Sequence, residues 1–132
     1  MKKTFRLMAL AIVAMVFAAC GSKTSSPEAA TEAFLKTYQK GDYAALIDQM
    51  YFKQVLTEEE RNEFVEIFQA KDAPEVEKKG GVASYELGEV IMAEDGQKAV
   101  VKYTITYGDG SSKPDDLDLV LVDGEWKPNS GK

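Results

Sequence analysis

The chain has 132 residues, enough for one domain at about 100–200 residues each and too few for two. Its 45% apolar and 29% charged residues are those of a globular protein, which excludes a disordered or fibrous chain. Acids outnumber bases 22 to 16 and histidine is absent, so nucleic-acid binding is disfavoured and the commonest general base and transition-metal ligand are missing.

Residues 1–6 carry Lys2, Lys3 and Arg6 with no acid, and residues 7–17, LMALAIVAMVF, run without a charge. Eleven apolar residues fall short of the ~20 a spanning helix needs but fit the roughly 7–15 of an export signal. The alternative, a buried N-terminal helix, would leave a basic tip and an all-round apolar cylinder for a small domain to cover. Ala18 and Ala19 then lead into Cys20, the single cysteine. FAAC resembles the lipobox of bacterial lipoproteins, with Phe17 where leucine is commonest.

That resemblance implies a signal peptide over residues 1–19 and a mature N-terminus at Cys20, lipidated on sulfur and acylated on its amine by a fatty acid such as palmitate. A lipidated Cys20 has no thiol left for nucleophilic, redox or metal chemistry. Removing residues 1–19 leaves 113 residues and takes away three bases and no acid, so 13 bases face 22 acids, a formal −9. Such a surface repels anionic headgroups, and the acyl chains must anchor it at ~0.8 kcal/mol per buried methylene. Gly21 follows the cysteine instead of an aspartate, which points toward the outer membrane of a bacterial cell envelope.

Residues 20–25 read as the lipidated cysteine and a tether, and 26–132 as the domain. The small, polar GSKTSS of residues 21–26 has nothing to bury and reaches at most ~20 Å when extended. Ser26 as N-cap, Pro27 at the first position and Gly41 as a left-handed terminator bracket a first helix. Its apolar stripe is Ala30, Phe34 and Tyr38 at four-residue spacing, widened by Ala33 and Leu35. Asp42 caps a short second helix whose Leu46, Ile47, Met50 and Tyr51 face a core. Thr57 and Glu60 have capping-box spacing for a third. Phe64, Val65, Ile67 and Phe68 are its apolar side and Glu58, Glu59, Arg61 and Glu66 its solvated one. Pro74 should break or kink that helix near Asp72 and Ala73, and Gly80 and Gly81 should end it.

From Val82 the period changes to two. KAVVKYTITY puts Ala99, Val101, Tyr103, Ile105 and Tyr107 on one face, and DDLDLVLV does the same with Leu117, Leu119 and Leu121. Asp95-Gly96, Asp109-Gly110 and Asp123-Gly124 mark the turns of a four-stranded antiparallel meander. In ASYELGEVIMAE the phase fails at Gly88-Glu89. An extra residue there restores an inward set of Tyr85, Leu87, Val90 and Met92, which predicts a β-bulge and a bent sheet. Each element has one apolar side, so the class is α+β, with the helices on one face of the sheet.

Together EAFLKTYQKGDYAALIDQM, LTEEE, KKGGVASYE, DGQKAVVKYTITYGDG and LVDGEWK resemble a family of small bacterial lipoproteins of unknown function with the nuclear-transport-factor-2-like, cystatin-like fold. The similarity runs over about residues 26–128. It implies a cone, with N-terminal helices packed on the concave face of a bent, about four-stranded sheet, and it implies no catalytic residue.

The residues themselves offer two chemical readings beside plain packing. Asp115, Asp116 and Asp118 with Asp109 have the oxygens for calcium, but strand alternation makes them a solvated face. An isomerase- or dehydratase-type site needs a carboxylate and a phenol in an apolar pocket. Tyr38, Tyr103 and Tyr107 offer the phenol, while the only inward-phase acid, Glu89, is turned out by the bulge. The aromatics Tyr38, Phe68, Tyr85, Tyr103, Tyr107 and Trp126 are the candidate ligand-lining residues where they do not simply fill the core. The expectation is therefore a non-enzymatic, lipid-anchored module without metal or cofactor. It binds a small apolar or amphipathic ligand or an envelope protein; a pure interaction or dimerisation module is the remaining alternative.

Overall fold

The computed structural model describes residues 25–131. The export signal, Cys20 and the tether up to residue 24 lie outside the described residues. Three helices, α1 (Pro27–Lys40), α2 (Tyr43–Gln49) and α3 (Glu58–Lys78), precede four strands, β1 (Val82–Met92), β2 (Lys98–Tyr107), β3 (Ser112–Val122) and β4 (Glu125–Pro128). Among the described residues no helix is long and apolar enough to cross a membrane.

The caps form where local chemistry places them. The Ser26 side chain accepts from the Ala29 amide at 3.1 Å, and Gly41 takes φ 77° to close α1. Asp42 accepts from the Ala45 amide at 3.1 Å to start α2. Thr57 and Glu60 exchange hydrogen bonds of 3.1 and 2.9 Å in a full capping box. Arg61 then clamps Asp48 through two bonds of 2.6 and 2.9 Å, joining α3 to α2. Gln49 donates to the Thr37 hydroxyl at 2.7 Å and ties α2 to α1.

Pro74 does not break α3, which runs unbroken from Glu58 to Lys78. A mid-helix proline loses one bond and costs ~3 kcal/mol, so tertiary contacts hold the second half in place. Val76 packs on the Leu35–Ile105–Tyr107 cluster. Beyond the helix end, Gly108 donates to the Gly81 carbonyl at 2.8 Å and Asp109 to the Lys79 carbonyl at 2.9 Å. The loop after α3 is thus bonded to the β2–β3 turn.

The sheet is the expected meander, antiparallel in the order β1-β2-β3-β4. Leu87 faces Tyr103 and Val90 faces Val101, so Gly88 and Glu89 together oppose Lys102, which is the predicted bulge. A second irregularity leaves Ala83 unpaired between Val82 and Ser84. There the Gln39 amide reaches across from α1 to the Val82 and Ala83 carbonyls at 3.1 and 3.2 Å. Asp123 and Gly124, at φ 51° and 82°, form the left-handed pair that a tight β3–β4 hairpin needs. The end of β4 is held by Tyr51, which bridges Asn129 in parallel, donates to the Pro128 carbonyl at 2.7 Å and accepts from the Ser130 amide at 3.1 Å.

α1 lies on β1, β2 and β4, while α2 packs on α1 and α3 packs chiefly on α2. The core has two parts. Ala30, Ala99, Val101, Leu119 and Trp126 form one; Leu35, Ile105 and Tyr107, flanked by Phe34 and Tyr38, form the other. Full burial of a side chain such as Leu35 or Leu119 contributes ~1.5–3 kcal/mol.

Two inward assignments fail. Met92 is 48% exposed, because β1 is an edge strand and its cross-strand neighbour is the small Ala99. Ile67 is 50% exposed, because Phe64 and Phe68 already fill the face that α3 turns inward.

Candidate functional site

The concave face of the sheet changes character along its length. Directly opposed residues of an antiparallel pair share a face, so Lys113 opposite Ile105 and Asp115 opposite Tyr103 lie on the same side as Leu117 and Leu119. One end of that face is leucine and valine; the other carries tyrosines beside a lysine and an acid.

α3 supplies the facing wall. Phe68, Asp72 and Val76 recur every four residues and therefore share one stripe. Phe68 stacks on Tyr43 with centroids 6.2 Å apart and planes at 10°, and Tyr43 meets Tyr38 edge-on at 6.2 Å and 82°. Val76 sits on the Tyr107 cluster. Asp72 lies between these two contacts, over the tyrosine end of the sheet.

Burial raises the Asp72 carboxyl above the ordinary carboxylate range, and Lys113 and Lys71 offset part of the rise. Burial, then the charge of Asp72, pushes the Tyr38 hydroxyl far above the usual phenol range, and the same two causes raise Tyr43. Tyr103 is pushed up to about 12, by burial first and by Asp115 second. Burial and Glu32 raise Tyr85. All four phenols therefore stay protonated at neutral pH, ready to donate as well as accept.

Among the described residues the hydroxyls of Tyr38, Tyr43, Tyr103 and Tyr107 have no hydrogen-bond partner, and the Asp72 carboxylate has neither hydrogen bond nor ion pair. No side-chain polar atom sealed from water among the described residues lacks a partner, so these groups reach solvent. Lys79 caps the rim, its Nζ 4.8 Å from the Tyr107 ring centre. The result is a tyrosine cluster between α3 and β2–β3, with Tyr43 and Tyr107 buried, Tyr38 and Tyr103 half-buried, and one unpaired carboxylate at its side.

Of the six aromatics singled out in sequence, Tyr38, Tyr85, Tyr103 and Tyr107 gather in one cluster, and Phe68 joins through Tyr43. Trp126 does not: it is 6% exposed in the other part of the core, against Ala30 and Leu119. Tyr43 and Asp72 are additions that the sequence candidates lack. Tyr43 stands one turn before Leu46 and Ile47, and Asp72 one turn from both Phe68 and Val76, which are the signals that mark them.

Glu89 is exposed in the bulge. Asp116 lies on the opposite face from Asp115 and pairs with Lys102 at 3.7 Å, while Asp109 accepts from the Ser111 amide and hydroxyl at 2.9 and 2.6 Å. A separate depression of about 420 Å³ runs along Glu63, Glu66, Ile67 and Ala70. It is walled by one helix alone, on the side of α3 turned away from Asp72.

The family described as "Domain of unknown function (DUF4878)" matches residues 18–129. The crystal structure of a Campylobacter jejuni protein, proposed to be an NTF2-like transpeptidase, is similar to this chain with a TM-score of 0.65. Identity is 17%, over 79% of this chain and 97% of that one. Weaker likenesses are to Aln2 from a Streptomyces species (TM-score 0.44, 16% identity, 78% and 87% of the two chains) and to the intermembrane space region of the chloroplast protein ARC6 (0.40, 12%, 76% and 90%). No curated protein matches the chain by sequence. The Campylobacter likeness bears on fold alone, and the fold is nuclear-transport-factor-2-like, as the sequence resemblance implied.

Proposed function

We propose that this chain, which belongs to the DUF4878 family of domains of unknown function, is a lipid-anchored cell-envelope protein whose domain binds a small amphipathic ligand at the tyrosine cluster between α3 and the sheet. The observation that carries the reading is the set of unpartnered groups on an apolar floor: four phenols and Asp72 reach solvent without a protein partner. An apolar surface with a few convergent polar groups is the usual composition of a ligand site. The anchor rests on FAAC and the apolar run before it. Its location, outer rather than inner membrane, rests on Gly21.

Native mass spectrometry of the detergent-solubilised chain tests both halves. A retained small molecule, lost in Tyr38→Leu, supports binding; a ligand-free spectrum across growth conditions counts against it. Cys20→Ser should lose the lipid mass and leave the membrane fraction. Unchanged mass and fractionation would sink the anchor.

One observation favours a second reading. Asp72 beside Tyr38 and Tyr43 is the carboxylate-and-phenol pair that an isomerase or dehydratase uses, whereas Glu89 stands in solvent. Conversion of the retained molecule on incubation, abolished in Asp72→Asn, would favour the enzyme over the binding module.

A further inference from the structure

We infer that the exposed apolar end of β1, Ile91 and Met92, rests on the zwitterionic phospholipid leaflet that holds the Cys20 anchor, and so fixes which way the domain faces. This rests on the anchor in the reading above and is independent of what the tyrosine cluster binds. Four large apolar side chains are exposed among the described residues: Val55, Ile67, Ile91 and Met92. Ile67 stands beside Glu63 and Glu66 on α3, whereas Ile91 and Met92 are consecutive, at 45% and 48% exposure. Successive strand residues point to opposite faces, so the end of β1 is apolar on both sides of the sheet. Ala93, next in the chain, is exposed as well. β1 is also an edge strand, with no strand on its outer side among the described residues. An exposed apolar tip of this kind marks an interaction surface.

Its place in the fold says what covers it. Ala30 packs with Ala99, and Leu35 with Ile105 and Tyr107, so α1 starts at the Ala99 end of β2. Met92 is the cross-strand partner of Ala99. Ser26 precedes Ala30 by about 6 Å of helix, so the chain leading back to Cys20 leaves the domain at the Ile91 and Met92 end. Extended, residues 21–26 reach at most ~20 Å, less than the ~33 Å that a strand of the 10 residues in β2 spans. The end bearing Met92 therefore stays closest to the bilayer. Charge selects the lipid. Glu94 and Asp95 of the β1–β2 turn lie at this end, and so does Asp123, since Leu121 bonds Gln97 and Val120 faces Lys98. An anionic leaflet repels these acids, whereas the ammonium groups of phosphatidylethanolamine attract them. Two half-exposed side chains are too few to hold a free protein at a membrane, but on a short tether they favour one orientation by about tenfold.

The test uses the lipid-bearing chain purified from membranes and placed in nanodiscs of phosphatidylethanolamine and phosphatidylcholine that contain a nitroxide-labelled lipid. The methyl resonances are followed. Those of Ile91, Met92 and Ala93 should broaden at least about fivefold more than those of Ile67. Enriching the disc in phosphatidylglycerol should shrink that difference. Ile91→Ser combined with Met92→Ser should abolish it at Ala93, with far-UV circular dichroism checking that the variant is folded. Equal broadening at Ile67 and Ile91, or broadening at Ala93 that survives the double substitution, overturns the docking and leaves the anchor in place. A difference undiminished by phosphatidylglycerol overturns the zwitterionic leaflet as the surface. A chain whose mass shows no lipid on Cys20 overturns the anchor and the docking together.

Discussion

Replacing Gly108 by alanine should unfold the junction between the helical layer and the sheet. A β-carbon built at Gly108 falls inside contact distance of the Gly80 carbonyl oxygen, 2.9 Å from its carbonyl carbon and 3.2 Å from its α-carbon. All three atoms are backbone, so no rotamer change relieves the clash. Gly108 has no left-handed φ, so an alanine there is excluded by the neighbouring chain and not by its own conformation. Relief requires the 79–81 loop to move off the β2–β3 turn, breaking the Gly108–Gly81 and Asp109–Lys79 hydrogen bonds. Two bonds at about 0.5–1.5 kcal/mol each and an overpacking term of about 1–3 kcal/mol give about 2–6 kcal/mol. For a domain of this size that lowers the thermal midpoint by at least about 10 °C. Gly110→Ala is the control: it has φ 91° but nothing within 4 Å, so it should cost about 1 kcal/mol from backbone strain alone. Both are measured by urea and thermal unfolding monitored by circular dichroism. If Gly108→Ala proves no less stable than Gly110→Ala, the proposed close approach of the two loops is wrong.

Other expectations concern charge and caps. The folded-state pKa of Asp72 is raised, so its contribution to stability is present below the ordinary value of 3.8 and is lost as pH rises through the folded value. Asp72→Asn should therefore raise the thermal midpoint at pH 7 and remove that fall; a lower midpoint at pH 7 would mean the carboxylate is paired. Asp48 behaves oppositely. The Arg61 hydrogen bond holds it below the usual carboxylate range, so its contribution is present above that range and is lost as pH falls through the folded value. Asp48→Asn should accordingly flatten the acid limb of the stability curve, and an unaltered limb would show the clamp to be idle. Thr57→Ala removes one side of the capping box and should cost about 1 kcal/mol in chemical denaturation. A cost near zero would mean that α3 is held by its far end alone.

The local rules written into this chain are unusually readable. Ser26, Asp42 and Thr57 cap as their side chains dictate, and the phase slip at Gly88-Glu89 is a bulge because only an extra residue keeps Leu87 and Val90 on one face. Pro74 shows where local reading stops. Its missing amide is a cost that any window of sequence can see, whereas the contacts that outweigh it, Val76 on Tyr107 and the 79–81 loop on Gly108, join residues about thirty positions apart. The same residue hides the site. With α3 ended at Asp72, that acid is a helix terminus; with α3 continued, it is in register with Phe68 and Val76 and faces the tyrosines. Residue type alone groups Trp126 with the other aromatics, but β4 pairs with the leucine half of β3 and carries it to the opposite end of the core.

The bridge between Tyr51 and Asn129 has a bearing on folding order. It joins positions 78 apart, whereas Met92 and Ala99, at the closing end of the first hairpin, are 7 apart. Loop-closure entropy makes the longer contact about 2 kcal/mol harder to form. The three hairpins can therefore assemble from neighbouring sequence, with the strap across β4 added late, after α2 has found its place. Because that strap fixes the segment leading into α3, the wall carrying Asp72 is completed only when the last strand has been claimed. The cluster of Asp72 and the tyrosines is thus a late product of folding, absent from any partly assembled sheet.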